Sequence, residues 1–278
     1  MKKTVIGMVS SIIILILCQL ISQLLGSLII IIHLPDFVGN IIAAISYVAS
    51  VYICLNILAK KYLKINSEEL GMPKFKIKCK WAVIAMILPV VVTGCYMMFS
   101  GQLYHNEKIA TATIVSAGVF YIGIAAGFVE EMVFRGVIFH ILIKKTNKYI
   151  AIIGPSILFG ALHLIGGDFS VGSAILVTIA GTFVGIMFSL IALESKSVWN
   201  SGIVHALWNI IMAGGIFQVS TKIDNDAIYN YVVHTKSVYF TGGEFGIESS
   251  VISIVGYLFV SAIAFMGIKF QEKAFVSK

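Results

Sequence analysis

Charge is scarce in this sequence. Only 12% of its 278 residues are Asp, Glu, Lys or Arg, where soluble domains carry about a quarter. Arginine is almost missing: of 20 basic residues, Arg135 alone is not lysine. Proline and cysteine number four each. Cys18, Cys54, Cys79 and Cys95 lie far apart, without the paired spacing of a redox motif, a zinc knuckle or a disulfide framework. There is no His-Glu-x-x-His motif, internal repeat, low-complexity tract or polar stretch long enough for a soluble domain. Short alternating segments of the kind that build a membrane β-barrel are also missing. Few aromatics interleave with the basic residues. The Lys74–Lys80 cluster has only Phe75, which argues against nucleic acid as a partner.

What fills the space is apolar. Hydrophobic residues make up 59% of the chain. Thr4–Ile32 is interrupted only by isolated Ser and Gln, and about 20 such residues span a bilayer core as a helix. Backbone in lipid must satisfy its own hydrogen bonds, so helices are expected. Lys2 and Lys3 ahead of this run mimic a signal peptide. The run is too long for one and no Ala-x-Ala site closes it, so it reads as an uncleaved first span.

The expected fold is all-α, a polytopic transmembrane helix bundle of about eight spans. These lie near residues 4–32, 37–59, 81–103, 110–143, 149–165, 173–193, 198–217 and 250–270. The chain reads as one integral membrane domain over residues 1–278, with a catalytic core at about 110–217. The loop 218–249 contains an alternating stretch, Tyr229–Gly243, expected to form a small hairpin or re-entrant piece. Alternating loops put 16 lysines on one side: Lys2, Lys3, Lys60, Lys61, Lys64, Lys74, Lys76, Lys78, Lys80, Lys144, Lys145, Lys148, Lys196, Lys269, Lys273 and Lys278. Only Lys108, Lys222 and Lys236 fall on the other. Positive charge collects on the cytoplasmic side, so both termini are expected there. The net charge of +7 then reflects topology and attraction to anionic headgroups. Lysine and isoleucine bias suggests an AT-rich bacterial genome, hence a bacterial plasma membrane.

Against this background, ionisable groups inside spans stand out, because each costs about 2.5–3.5 kcal/mol to insert. The fourth span carries Glu130, Glu131 and Arg135 in Phe-Val-Glu-Glu-Met-Val-Phe-Arg-Gly; the fifth carries His163, one turn after Phe159; the seventh carries His205 and Asn209. Glu131 and Arg135 stand at i, i+4 in the favourable acid-first order. Glu130 is turned about 100° away, free to meet another neighbour, with His163 the expected one. His205 and Asn209 share a face. Counted from one membrane face at about 1.5 Å per residue, the three sets reach similar depths. The single arginine suggests that its planar fork, which lysine cannot imitate, is needed. Gly181 and Gly185 form a small-x-x-x-small pair, expected to serve close packing.

Such a set permits hydrolysis. A glutamate in apolar surroundings can act as general base, then acid. A histidine can share the water, and a second histidine with an asparagine can donate to an oxyanion. No metal is required. Two His and one Glu also form a known zinc set, so Zn2+ held by Glu130, His163 and His205 is the alternative. A polar cluster that only holds helices together and a transporter using Glu130 and Arg135 are the rival readings. The absence of a repeat relating the two halves argues against the transporter.

Glu-Glu-x-x-x-Arg, then Phe-x-x-x-His, then His-x-x-x-Asn, in order on separate spans, resembles the CAAX prenyl endopeptidase (CPBP/Abi) family. The resemblance covers Glu130 to Asn209. It implies an eight-helix intramembrane endopeptidase acting on membrane-associated peptides or proteins, with or without a lipid chain. In it Glu130 and His163 activate water, His205 and Asn209 stabilise the oxyanion, and Glu131 and Arg135 support them. Relatives with bacteriocin-immunity roles make a non-catalytic partner-binding protein of the same fold the second reading.

Overall fold

The computed structural model describes residues 2–276; Lys278 of the lysine count lies outside them. Eight principal helices occupy the eight expected places. They are α1 (Lys2–Ile31), α2 (Asp36–Leu63), α3 (Cys79–Met97), α4 (Thr111–Ile143), α5 (Lys148–Leu162), α6 (Val171–Ser195), α7 (Val198–Met212) and α8 (Val251–Val276). Among the described residues six of them, all but α5 and α7, are long and apolar enough to cross a membrane. Their outer faces carry Leu24, Ile53, Val91 and Phe259, all exposed, as a lipid-facing surface requires.

Helices α5 and α7 have 15 residues each, about 22 Å of rise against a hydrocarbon core of about 30 Å. Both end earlier than the sequence suggests, at Leu162 and Met212. Gly166 (φ +84) and Gly215 (φ +71) follow them in the left-handed region, where a continuing helix is not available. Non-helical backbone is tolerated at membrane depth only where protein or a cavity surrounds it. The segment after α7 supplies that surround, with short turns and two strands.

Those strands, β2 (Phe217–Ser220) and β3 (Tyr229–Val233), join β1 (Gly101–His105) in a sheet of order β1-β3-β2. β3 runs antiparallel to β1 and parallel to β2. In place of the expected hairpin at Tyr229–Gly243, Tyr229–Val233 is a central strand paired with the distant β1 and the nearby β2. Residues 101–103, expected in the third span, belong to β1.

The opposite pole holds the lysine-rich loops. Lys3 donates to the Leu63 carbonyl, Lys144 pairs with Glu69 at 2.6 Å and Lys148 with Glu272 at 3.3 Å. Lys78 and Lys80 reach Glu194, which also accepts from the buried Trp81 indole at 2.9 Å. Chain ends and loops assigned to one face by charge thus meet in space.

Small residues set the closest approaches. A Cβ on Gly181 would lie 2.5 Å from Gly160 Cα, and one on Gly185 2.8 Å from Ser156, so this pair packs α6 onto α5 as expected. On α4, Gly118, Gly123 and Gly127 face Gly214, Ile210 and Ala206 of the α7 region. The partners are spaced by four, the glycines by five and then four. Two π-helical stretches, Ala117–Ala126 and Met132–Ile138, run through α4. In the first, the wider turn keeps residues five apart near one face.

Candidate active site

Glu130 and Glu131 lie in a short α-helical turn, Gly127–Glu131, between the two π-helical stretches. Such stretches are rare and concentrate at functional sites. Glu131 and Arg135 are both fully buried and paired, Nη1 to Oε1, at 2.8 Å. The fork expected to grip a carboxylate instead spans two helices: Nη2 donates to the Gly185 carbonyl of α6 at 2.9 Å. The guanidinium lies 4.7 Å from the Phe159 ring centroid and 5.2 Å from that of Phe188, a contact worth about 2 kcal/mol when desolvated.

Glu131 has a second partner. His205 Nδ1 is 3.2 Å from its Oε1. The His205 ring stacks on Phe188, with centroids 4.5 Å apart, so its tilt is fixed. Its Nε2 lies 3.8 Å from Oε2 of Glu130. The glutamate expected to meet His163 thus comes within 4 Å of His205. Glu130 is 26% exposed, the accessible carboxylate of the two.

His163 directly follows the last turn of α5. Its Nδ1 lies 2.7 Å from the Phe159 carbonyl. A donated Nδ1–H there leaves Nε2 with its lone pair outward. The ring sits 4.6 Å from Phe159, which also meets His205 edge-on at 5.9 Å. Both histidines thus pack against one aromatic ring. Asn209 lies one turn beyond His205, and its Nδ2 donates to the Ile122 carbonyl at 3.0 Å, tying α7 to the π-helical stretch of α4.

A small cavity of about 50 Å³ lies between the two histidines and Asn209, room for a few water molecules. His163, His205, Asn209, Phe159 and Phe245 line it, together with Glu248. Sequence reasoning missed Glu248. It sits in a turn just ahead of α8, in what reads as loop; its position two residues before a span was the available signal. Trp208, which sequence position does not mark as functional, donates its indole N–H to Glu248 Oε2 at 2.8 Å.

The four remaining histidines lie elsewhere. His140 Nδ1 lies 2.9 Å from the carbonyls of both Arg135 and Gly136. His105 stacks on Tyr229 and His234 bonds Ser100; His33 is exposed. As for zinc, no group of three His, Cys, Asp or Glu side chains among the described residues is arranged to hold a metal ion. Glu130, His163 and His205 do not form a ligand set in this geometry.

Residues 112–211 match the family described as Rce1-like, type II CAAX prenyl endopeptidase Rce1-like. This segment is similar to that family. The matched region runs from the first turn of α4 to the last of α7. It contains Glu130, Glu131, Arg135, His163, His205 and Asn209, and excludes Glu248. No curated protein matches the chain. The Rce1-like family is a peptidase family, and this Rce1-like core sits in an integral membrane bundle.

Proposed function

We propose that the protein is an intramembrane endopeptidase that cuts peptide bonds in membrane-associated substrates, with water activated by Glu130 and His163. The supporting observation is convergence: within the Rce1-like segment, Glu130 and Glu131 of α4 meet His205 of α7 at 3.8 and 3.2 Å, and His163 of α5 shares a cavity with His205 and Asn209.

In this reading a water held between Glu130 and His163 loses a proton to Glu130 as its oxygen adds to the substrate carbonyl carbon. His205 acts as the imidazolium: its Nδ1–H is donated to Glu131 and its Nε2–H points at the developing oxyanion. Asn209, with one amide hydrogen on Ile122, keeps its second for the same oxygen. Glu131 and Arg135 position His205 and bind α4 to α6. The lysine-rich pole faces the cytoplasm, and with it both termini.

The test is cleavage of lipidated and unlipidated peptides by the purified protein in detergent, with and without a chelator. Cleavage that disappears in Glu130→Gln supports the reading. No cleavage of any peptide by folded wild-type protein, with partner binding intact in Glu130→Ala, would select the non-catalytic alternative.

A further inference from the structure

The cavity contains a carboxyl group that the mechanism above does not use. Glu248 occupies a single 3-10 turn, Ile247–Ser249. Gly246 before it holds φ +98 and ψ −178, a region open essentially to glycine alone. The turn is braced on every side. Ser249 Oγ donates to the Gly242 carbonyl at 2.8 Å and Ser253 Oγ to that of Ile247 at 2.6 Å. The Tyr257 hydroxyl donates to the backbone carbonyl of Glu248 itself at 2.9 Å. Such bracing fixes where the side chain points, and it points between Trp208 and the cavity.

The two carboxyl oxygens have different surroundings. Oε2 accepts from the Trp208 indole. Oε1 has no hydrogen-bond partner among the described residues, and Glu248 lines the cavity beside His163, His205 and Asn209. Glu130 does not line it. The site therefore has one carboxylate against His205 on the α4 side and a second carboxyl reaching it from the turn ahead of α8. Burial pushes the Glu248 carboxyl above the usual carboxylate range, with the Trp208 N–H and the neighbouring His163 and His205 pulling the other way. Two carboxyls in unequal environments around one reacting bond are the arrangement in which one serves as base and the other as acid.

We propose that Glu248 is the general acid of the site, handing a proton to the nitrogen that leaves when the peptide bond breaks. The proposal rests on the hydrolytic reading above. Water adds to the carbonyl carbon and its first proton goes to Glu130. When the C–N bond of the tetrahedral intermediate breaks, its electron pair stays on nitrogen. That nitrogen takes the Glu248 Oε1 proton and departs as an amine. The second hydrogen of the water remains on the new carboxylic acid. The proton held by Glu130 passes through water to the Glu248 carboxylate, and both groups are reset.

A leaving-group comparison tests this. Two substrates are used with the purified full-length protein: a peptide that the wild type cuts, and the same sequence with the scissile N–H replaced by sulfur. The thioester leaves as a thiolate of pKa about 8.5 and needs no proton to depart. Glu248→Gln keeps the shape and an acceptor for Trp208. It is expected to lower peptide turnover by about 10²–10⁴-fold while thioester turnover falls far less. Glu130→Gln should lose both substrates, so failure of the hydrolytic reading is distinguishable from failure of this one. Peptide cleavage by Glu248→Gln at the wild-type rate would overturn the proposal. So would equal losses on both substrates, which mean a bracing role only. Should Glu248→Gln not fold, Trp208→Phe frees Oε2 while keeping a ring in place. A selective loss on the peptide supports the acid role there, and an equal loss on both substrates overturns it.

Discussion

His205 Nδ1 meets Glu131 at 3.2 Å, so the carboxylate that orients the histidine is the one already bound to Arg135. One oxygen of Glu131 serves both Arg135 and His205. Neutralising it is expected to act in two ways. Glu131→Gln leaves Arg135 buried without its counter-charge, a loss of about 3–5 kcal/mol for broken buried pairs, and loosens His205. Thermal unfolding in detergent should show a clear drop in Tm. Cleavage measured well below both Tm values should also fall, and unchanged stability would contradict the pairing.

Glu130→Gln should behave in the opposite manner. Its carboxylate is partly exposed and makes no short ion pair, so Tm should stay near wild type. Turnover should fall by at least about 10²–10⁴-fold. The double variant Glu130→Gln/His163→Ala should be scarcely worse than either single change, since groups acting as a unit are not additive. Additive losses would show that the two do not share a water. Chelation should leave wild-type turnover unchanged. Loss restored by added zinc would revive the metal alternative.

Arg135→Lys keeps the charge but cannot reach Glu131 and the Gly185 carbonyl together. The hydrogen bond given up is of the charged kind, about 1.5–3 kcal/mol. The variant should unfold at lower temperature, and Lys→Arg changes in loops should not. Equal stability of Arg135→Lys and wild type would mean that the link between α4 and α6 is unimportant.

Sidedness follows from the lysine poles. With the exposed Cys79 first removed, cysteines replacing Lys74 and Lys222 should react with a membrane-impermeant reagent from opposite sides. Reaction of both from one side would overturn the topology.

The parts of the site visible in the sequence were those obeying simple helical spacing. Glu131 with Arg135 and His205 with Asn209 follow the i, i+4 rule, and the eight helices follow hydropathy. The grip of Arg135 on Gly185 was not visible, because a backbone carbonyl on another helix leaves no mark in sequence. Glu248 was hidden for another reason: a backbone turn at Gly246, not a helical face, aims it. The early ends of α5 and α7 depend on glycines that hydropathy averages away. The sheet pairs β1 with β3 across more than a hundred residues, and no local pattern announces the nearby parallel partner β2.

The π-helical stretches of α4 have a consequence for how the two halves of that helix are phased. Asn40 of α2 holds the beginning of α4 through the Thr113 carbonyl and the Ser116 hydroxyl, while α7 grips the glycine row down to Gly127. Between these grips the five-residue step from Gly118 to Gly123 contains one residue more than the four-residue step of Gly214 to Ile210 opposite. Deleting a single residue from 119–122 would equalise the steps and let an ordinary α-helix keep the row continuous. It would also rotate Glu130 by about 100° relative to the end anchored by Asn40, and would remove or displace the Ile122 carbonyl that Asn209 uses. The surplus residue therefore acts as a phase shifter: it lets two neighbours hold one helix at different registers, with the carboxylates aimed by the second.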